Sequence, residues 1–315
     1  MIRILVPCFN EASVIEKTYA ELTEIMQQDS RNNNYKYELL FVDDGSKDNT
    51  LTIIQQLAQQ DHAVKYISFS RNFGKESAMY AGLKASVDVE ALIILDGDLQ
   101  HPPTLIHQMI QYFKEGEDQI VAKRDRTGEN IARKRVSQLY YAMINKMVDV
   151  TLEDGVGDFR LLSQRAVKEI VNMGEYNRFS KGLFAWIGFE PKVIEYQNVT
   201  RVEGESKWSF SSLLNYGIDG LISFNNKPLR AIIYLGLFIC GLSFLYILFN
   251  FIYTLNYGVS TPGYFTTIFS VLFLGGIQLT SLGVIGEYIG RIYYEVKQRP
   301  LYIVRQSNLN DQEVE

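Results

Sequence analysis

The chain has 315 residues, 47% hydrophobic and 21% charged, which excludes an intrinsically disordered protein. A formal net charge of −5 and a pI near 5.4 argue against a nucleic-acid partner. Cys8 and Cys240 fall in unrelated contexts, so no disulfide is expected and a reducing compartment fits the polar part.

Taken in order, Ile2 to Val6 reads as a buried strand, with no signal-peptide core around it. Glu11 to about Gln28 carries helical spacing at Val14, Thr18, Leu22 and Ile25. A second strand, Tyr37 to Val42, ends in Asp43-Asp44-Gly45-Ser46, and Asp48 is placed to cap the helix that follows. Val64 to Phe69 is a third strand, running into Ser70-Arg-Asn-Phe-Gly-Lys75 and another helix. Ala91 to Leu95 is a fourth, ending in Asp96 and Asp98. Pro103 opens a helix to about Lys114, and a fifth strand lies around Gln119 to Ala122. This alternation predicts an α/β domain with a mostly parallel sheet and helices on both faces.

In such sheets ligands sit beyond the carboxyl ends of the strands. Three strand ends carry polar clusters: Asn10 with Glu11, Asp43 with Asp44, and Asp96 with Asp98. One acidic turn suits plain solvation; a set on one edge suits a substrate site. Hard carboxylate oxygens match Mg²⁺ or Mn²⁺, and such ions commonly hold a nucleotide diphosphate. Neither a P-loop nor a dinucleotide fingerprint follows any strand.

Pro7-Cys-Phe-Asn-Glu11, Val42-Asp-Asp-Gly-Ser46 with Asp48, Ser70-Arg-Asn-Phe-Gly74 and Asp96-Gly-Asp-Leu-Gln-His-Pro-Pro103, in this order, resemble the family 2 glycosyltransferases with a GT-A fold. The closest resemblance is to the dolichol-phosphate mannose synthase branch and its bacterial polyprenyl-phosphate (bactoprenol) members, over the chain to about Arg299. The resemblance implies that Pro7, Asn10, Glu11, Asp43 and Asp44 contact the base and ribose. It puts Asp96 against the donor and gives the metal to Asp98 and Gln100. Arg71 and Lys75 border the nucleotide; many relatives carry His at the position of Lys75. Arg124, Arg133 and Ser137 match positions that contact the lipid phosphate, and Arg133 and Ser137 share a helix face. Arg suits a phosphate because its planar fork donates two hydrogen bonds.

Asp158, in Gly155-Val-Gly-Asp-Phe-Arg-Leu-Leu-Ser163, resembles the family acid assigned as a base or acceptor-site group. A phosphomonoester acceptor has a second pKa of about 6 and needs no base at neutral pH, so positioning is the expected role. Arg160 is expected to be structural. Arg178-Phe-Ser-Lys-Gly-Leu-Phe-Ala-Trp186 resembles a family stretch that usually has Arg at the position of Lys181; Trp186 is expected in the core, with stacking on the sugar as the alternative. Lys192 to Val199 reads as an edge strand. Arg201 and Lys207 match the basic positions of a mobile loop that closes over donor and lipid phosphate, with Gly204 as a hinge.

Ser209 to Phe224 has the pattern of an interfacial amphipathic helix. Ala231 to Leu255 and Tyr264 to Gly286 each run for more than 18 residues without a charge, long enough to cross a hydrocarbon core about 30 Å thick. The connector between them lacks Lys and Arg, whereas Lys227, Arg230, Arg291, Lys297, Arg299 and Arg305 flank the pair. The positive-inside rule therefore places both termini and the catalytic domain in the cytoplasm. Gly286 and Gly290 permit close helix contact and a homo-oligomer, and Glu287 is spaced to pair with Arg291. The expected organisation is a catalytic domain over 1–208, a juxtamembrane helix over 209–228, a two-helix membrane region over 229–291 and a tail over 292–315. The expected activity is inverting transfer of a sugar from a nucleotide sugar, UDP-linked, to a polyprenyl phosphate, with Mg²⁺ or Mn²⁺ as cofactor. The alternatives are a processive polysaccharide synthase, whose Gln-x-x-Arg-Trp motif is absent, and a non-catalytic scaffold that binds nucleotide sugar for a flippase.

Overall fold

The computed structural model describes residues 1–97, 101–125, 145, 153–197, 227–257 and 263–310. The strands are β1 (Ile2–Cys8), β2 (Tyr37–Asp43), β3 (Val64–Phe69), β4 (Ala91–Ile94), β5 (Gln119–Asp125), β6 (Val156–Ser163), β7 (Lys192–Gln197) and β8 (Val304–Ser307). They form one sheet in the order β7-β5-β6-β4-β1-β2-β3-β8. The pairs β1–β2, β1–β4, β2–β3 and β5–β7 are parallel. β6 lies antiparallel between β4 and β5, and β8 runs antiparallel along β3.

The helices of this domain are α1 (Ile15–Asn33), α2 (Thr50–Gln60), α3 (Lys75–Lys84), α4 (Leu105–Lys114), α5 (Gln164–Asn172) and α6 (Ser180–Trp186). Central strands with helices on both faces bury every side chain, so they read as unbroken apolar runs rather than alternating ones. The period of two then decides the face. Ile4, Val6, Leu39, Phe41 and Ile93 pack toward α1, α2 and α4. Leu5, Leu40, Val42, Leu92 and Ile94 pack toward α3, α5 and α6. Each fully buried side chain of this kind stabilises the fold by about 1.5–3 kcal/mol. Cys8 is a free, buried thiol whose Sγ lies 3.4 Å from the Val42 carbonyl oxygen.

α1 starts four residues later than the spacing suggests. Glu11 first closes a turn, accepting the N–H groups of Val14 and Ile15. The N-cap of α2 is Asn49 rather than the expected Asp48, which stands one residue earlier; from there its Oδ1 still accepts the Thr50 N–H at 3.0 Å.

Two long helices follow, α7 (Lys227–Tyr257) and α8 (Tyr264–Lys297). Both leave large apolar side chains bare, among them Leu237, Phe249 and Leu279. Hydroxyls in α8 are satisfied within the helix: Ser270 donates to Thr266 O, Thr280 to Gly276 O and Ser281 to Ile277 O. Among the described residues one stretch, Leu229–Tyr246 with mean hydropathy 1.9, meets the length and composition of a membrane span. The Glu287–Arg291 pair forms as expected, at 3.6 Å. The amphipathic helix expected over Ser209 to Phe224 lies outside the described residues.

Candidate active site

Parallel strands deliver their carboxyl ends to one edge, and there the loops are stitched together. Asn10 takes a left-handed conformation (φ 55). Its N–H donates to Ser46 Oγ and its Oδ1 accepts the Lys47 N–H, both at 2.9 Å. The Glu11 N–H donates to Thr50 Oγ1 at 2.9 Å. Pro7, within β1, sits beside Val42.

Asp43 and Asp44 are nearly fully buried, at 1% and 3% exposure. The Asp43 carboxylate accepts the Ser46 N–H and the Ser68 hydroxyl. That of Asp44 accepts the N–H groups of Phe73 and Gly74 at 2.6 and 2.9 Å. Asp44 therefore holds the loop that borders the expected donor site, while Asp43 fixes its own turn against β3. Gly45 is required where it stands: its φ is +66, and a Cβ would lie 2.7 Å from the Arg71 carbonyl oxygen. Arg71 is exposed and lays its guanidinium over the Phe73 ring, 4.0 Å from the centroid.

The centre of the site is a charge triad. Lys75, at the start of α3, places its Nζ 2.6 Å from Asp96 Oδ1 and 2.6 Å from Asp158 Oδ2. Asp96 follows β4 and Asp158 lies on β6, so the antiparallel insertion of β6 beside β4 is what brings the two acids together. Burial alone would raise the Asp158 carboxyl. Lys75, and then Lys181 and Arg160, outweigh it and hold the group below the usual carboxylate range. Burial alone would lower the Lys75 ammonium; Asp158 and Asp96 raise it instead. Lys75 thus resolves as a paired group rather than a solvated first-turn lysine.

Three supporting residues escaped the sequence reading. Lys181 acts on Asp158 from α6; its stretch carried a family resemblance, but its charge was not connected to Asp158. Glu76 accepts both the N–H and the hydroxyl of Ser180, tying α6 to α3. Tyr196, on β7, has its hydroxyl 2.6 Å from His101 Nδ1. Burial raises the Tyr196 hydroxyl, Arg124 lowers it and Asp96 raises it, so Arg124 and Asp96 share this neighbourhood. No local pattern announced any of these three links. Arg160 is structural as expected: it is buried, donates to Gly157 O at 2.7 Å and lies over the Phe184 ring. Trp186 corrects an expectation. It is 62% exposed rather than in the core, because α6 ends there and its packing is supplied by Leu183 and Phe184.

The expected metal ligands Asp98 and Gln100 lie outside the described residues, as do Arg133, Ser137, Arg201 and Lys207. Among the described residues no group of three His, Cys, Asp or Glu side chains converges. Of the acids next to the expected ligands, Asp96 is described; its carboxylate is a hard oxygen donor of the kind that suits Mg²⁺ or Mn²⁺, and its Oδ1 is paired with Lys75.

A GT-A-like α/β domain with acids at the strand ends is the architecture of a sugar-transferring enzyme. The model of glycosyl transferase family 2 matches residues 3–171, and the chain belongs to that family. A second model, the GtrB C-terminal hairpin, matches residues 227–292. A protein of Bacillus subtilis (strain 168) named as a glycosyltransferase, CsbB, is 52% identical over 314 residues, covering 100% of this chain and 94% of that protein. The SfII prophage-derived bactoprenol glucosyl transferase of Shigella flexneri is 42% identical over 309 residues, covering 98% of each.

Proposed function

We propose that the protein transfers a hexose from a UDP-sugar to undecaprenyl phosphate at the cytoplasmic face of a membrane, with inversion at the anomeric carbon and dependence on Mg²⁺ or Mn²⁺. The observation that carries this reading is the Lys75-centred triad, which gathers Asp96 and Asp158 at the strand ends beside Arg124. The membrane location is supported by the bare apolar surfaces of α7 and α8 and by the hairpin model that spans them. α7 and α8 would both cross, with the basic flanks and both termini in the cytoplasm. The lipid acceptor is supported by the names of the bactoprenol glucosyl transferases among the relatives.

The chemistry follows from the charges. The acceptor phosphate is largely a dianion at neutral pH, so its oxygen attacks the anomeric carbon without losing a proton. The new C–O bond forms as the bond to the diphosphate breaks, and the nucleoside diphosphate leaves with the electron pair. Asp158 is held ionised by Lys75 and is a poor base; it orients the acceptor side. Arg71 and Lys75 border the donor diphosphate, and Arg124, with Arg133, Ser137, Arg201 and Lys207, receives the lipid phosphate. Asp98 and Gln100, next to Asp96, would hold the divalent ion, which neutralises charge on the leaving diphosphate. The membrane helices keep the acceptor head at the interface and so supply proximity.

The test is transfer of label from UDP-glucose, UDP-galactose, UDP-N-acetylglucosamine and GDP-mannose to undecaprenyl phosphate by purified protein, with Mg²⁺ or Mn²⁺. Label in the organic phase from one donor, lost in folded Asp98→Asn, is the expected result. Full activity in Asp98→Asn would sink the metal assignment, and no transfer from any donor would sink the substrate assignment.

A further inference from the structure

The donor loop Ser70–Gly74 is flanked by the end of β3 and the start of α3. One residue from the far end of the chain lies against both elements. After α8 ends at Lys297, Gln298 takes a left-handed conformation (φ 47) and the chain turns back over the domain. β8 then pairs with β3, with Ser68 opposite Gln306 and Phe69 opposite Val304. The Ser70 N–H, first of the donor loop, donates to Ile303 O at 2.9 Å. The Asn308 side chain extends the ladder: its Oδ1 accepts the Tyr66 N–H at 2.7 Å and its Nδ2 donates to Val64 O at 3.0 Å.

Tyr302 lies at the head of this strap. Its ring stacks on Phe69 with centroids 4.9 Å apart and planes 14° from parallel. Its other neighbour is Tyr80 of α3, at 6.4 Å. Phe69 meets Phe73 edge-on at 5.8 Å, and Phe73 carries the Arg71 guanidinium at 4.0 Å. The Phe73 and Gly74 amides are pinned to Asp44, and Lys75 follows directly. The aromatic series Tyr302–Phe69–Phe73 therefore ends under one donor-site cation, Arg71, and Tyr302 also braces the helix that begins with the other, Lys75.

We infer that Tyr302 is a positioning residue for the nucleotide-sugar donor, setting the Arg71–Lys75 loop through the Phe69–Phe73 ring contacts. The inference rests on the proposed function, since it assumes that this loop borders a nucleoside diphosphate. Tyr302 touches no reacting atom. Its loss should weaken the donor more than the lipid acceptor: Arg124 and Asp158 belong to β5 and β6, and the Lys75–Asp158 contact is what links them to this loop.

The experiment uses the full chain, purified in detergent, as wild type, Tyr302→Ala, Tyr302→Phe and Leu309→Ala. Leu309 packs on the same core face without joining the ring series. Titration calorimetry with UDP and with GDP, each with Mg²⁺ or Mn²⁺, reads the donor side; KM for undecaprenyl phosphate reads the acceptor side. In Tyr302→Ala the dissociation constant of the tighter nucleotide is expected to rise roughly five- to tenfold, the scale an aromatic pair is worth. Tyr302→Phe should restore it, the acceptor KM should change by less than the nucleotide constant, and Leu309→Ala should lower the melting temperature alone. Should Tyr302→Ala fail to fold, Tyr302→Leu, which keeps bulk without a ring, is measured in its place. Wild-type nucleotide affinity in the ring-less variant, or equal weakening by Leu309→Ala, overturns the inference. A wild-type protein that binds neither nucleotide overturns the proposed function itself, and the inference with it.

Discussion

Lys75 Nζ lies 2.6 Å from Asp158 Oδ2, across 83 residues of chain. The same ammonium reaches Asp96, so a single side chain reconciles two acids that would otherwise repel each other at the mouth of the sheet. Its loss should be felt first in catalysis. Lys75→Met is expected to lower the transfer rate by roughly 10²-fold, the scale of removing one group that stabilises developing charge. Lys75→Arg should recover part of it. Initial rates on protein shown to be folded by circular dichroism decide; a Lys75→Met rate within twofold of wild type would remove the triad from the mechanism.

The pH–rate profile should not report Asp158. Burial pushes its carboxyl up, but Lys75, Lys181 and Arg160 hold it below the usual range, so it is ionised at every pH where the enzyme works. The acid limb should instead fall near pH 6, where the acceptor phosphate becomes a monoanion. Asp158→Asn should lose rate while keeping that limb in its residual activity. A limb that vanishes in Asp158→Asn would make Asp158 the base after all.

The triad also makes stability depend on pH, with a sign for each partner. The depressed Asp158 contributes above its unfolded pKa of about 3.9 and loses that contribution as pH falls further through its folded value. The raised Lys75 contributes below its unfolded pKa of about 10.4 and loses it as pH rises beyond. Thermal melts should therefore separate wild type from Lys75→Met between about pH 4 and 10, and bring them closer in stronger acid as Asp158 is protonated. Lys75 is 45% exposed, so the gap is modest and shrinks with salt. A gap that does not shrink as the pH falls to about 2, where the folded Asp158 titrates, would mean that Lys75 stabilises by packing.

Gly45→Ala should cost more than its size suggests. The position combines a positive φ with the Arg71 backbone pressed against it, so the new methyl adds left-handed strain of about 1–3 kcal/mol and pushes on the donor loop. We expect a lower melting temperature together with weaker nucleotide binding. Unchanged nucleotide affinity would show that the 70–74 loop can shift without consequence.

The strands β1 to β5 were legible because buried parallel strands leave short apolar runs punctuated by Asp, Gly and Pro. β6 was not. Gly155 precedes it and Gly157 breaks its pattern, and its partners β4 and β5 are earlier strands that it joins in reverse, which local spacing does not encode. β8 was missed for a related reason: four residues of tail acquire their strand character only from β3, some 240 positions upstream. Asp96 and Asp158 were legible as acids of one site, but their meeting through Lys75 depends on the β4–β6 register, with Ile94 opposite Arg160. Tyr196 carries no signature of its own and Lys181 only that of its stretch; the link each makes depends on what a neighbouring element brings near.

The tail has one more consequence. Without β8, β3 would be the last strand of the sheet and would offer the N–H groups of Tyr66 and Ser70 to any extended peptide; Asn308 and Ile303 take them instead. An open strand of this kind is where chains stick to one another in the wrong way. The last residues therefore act as a stopper, and a chain cut after Pro300 should be prone to aggregate even where every group of the charge triad is intact.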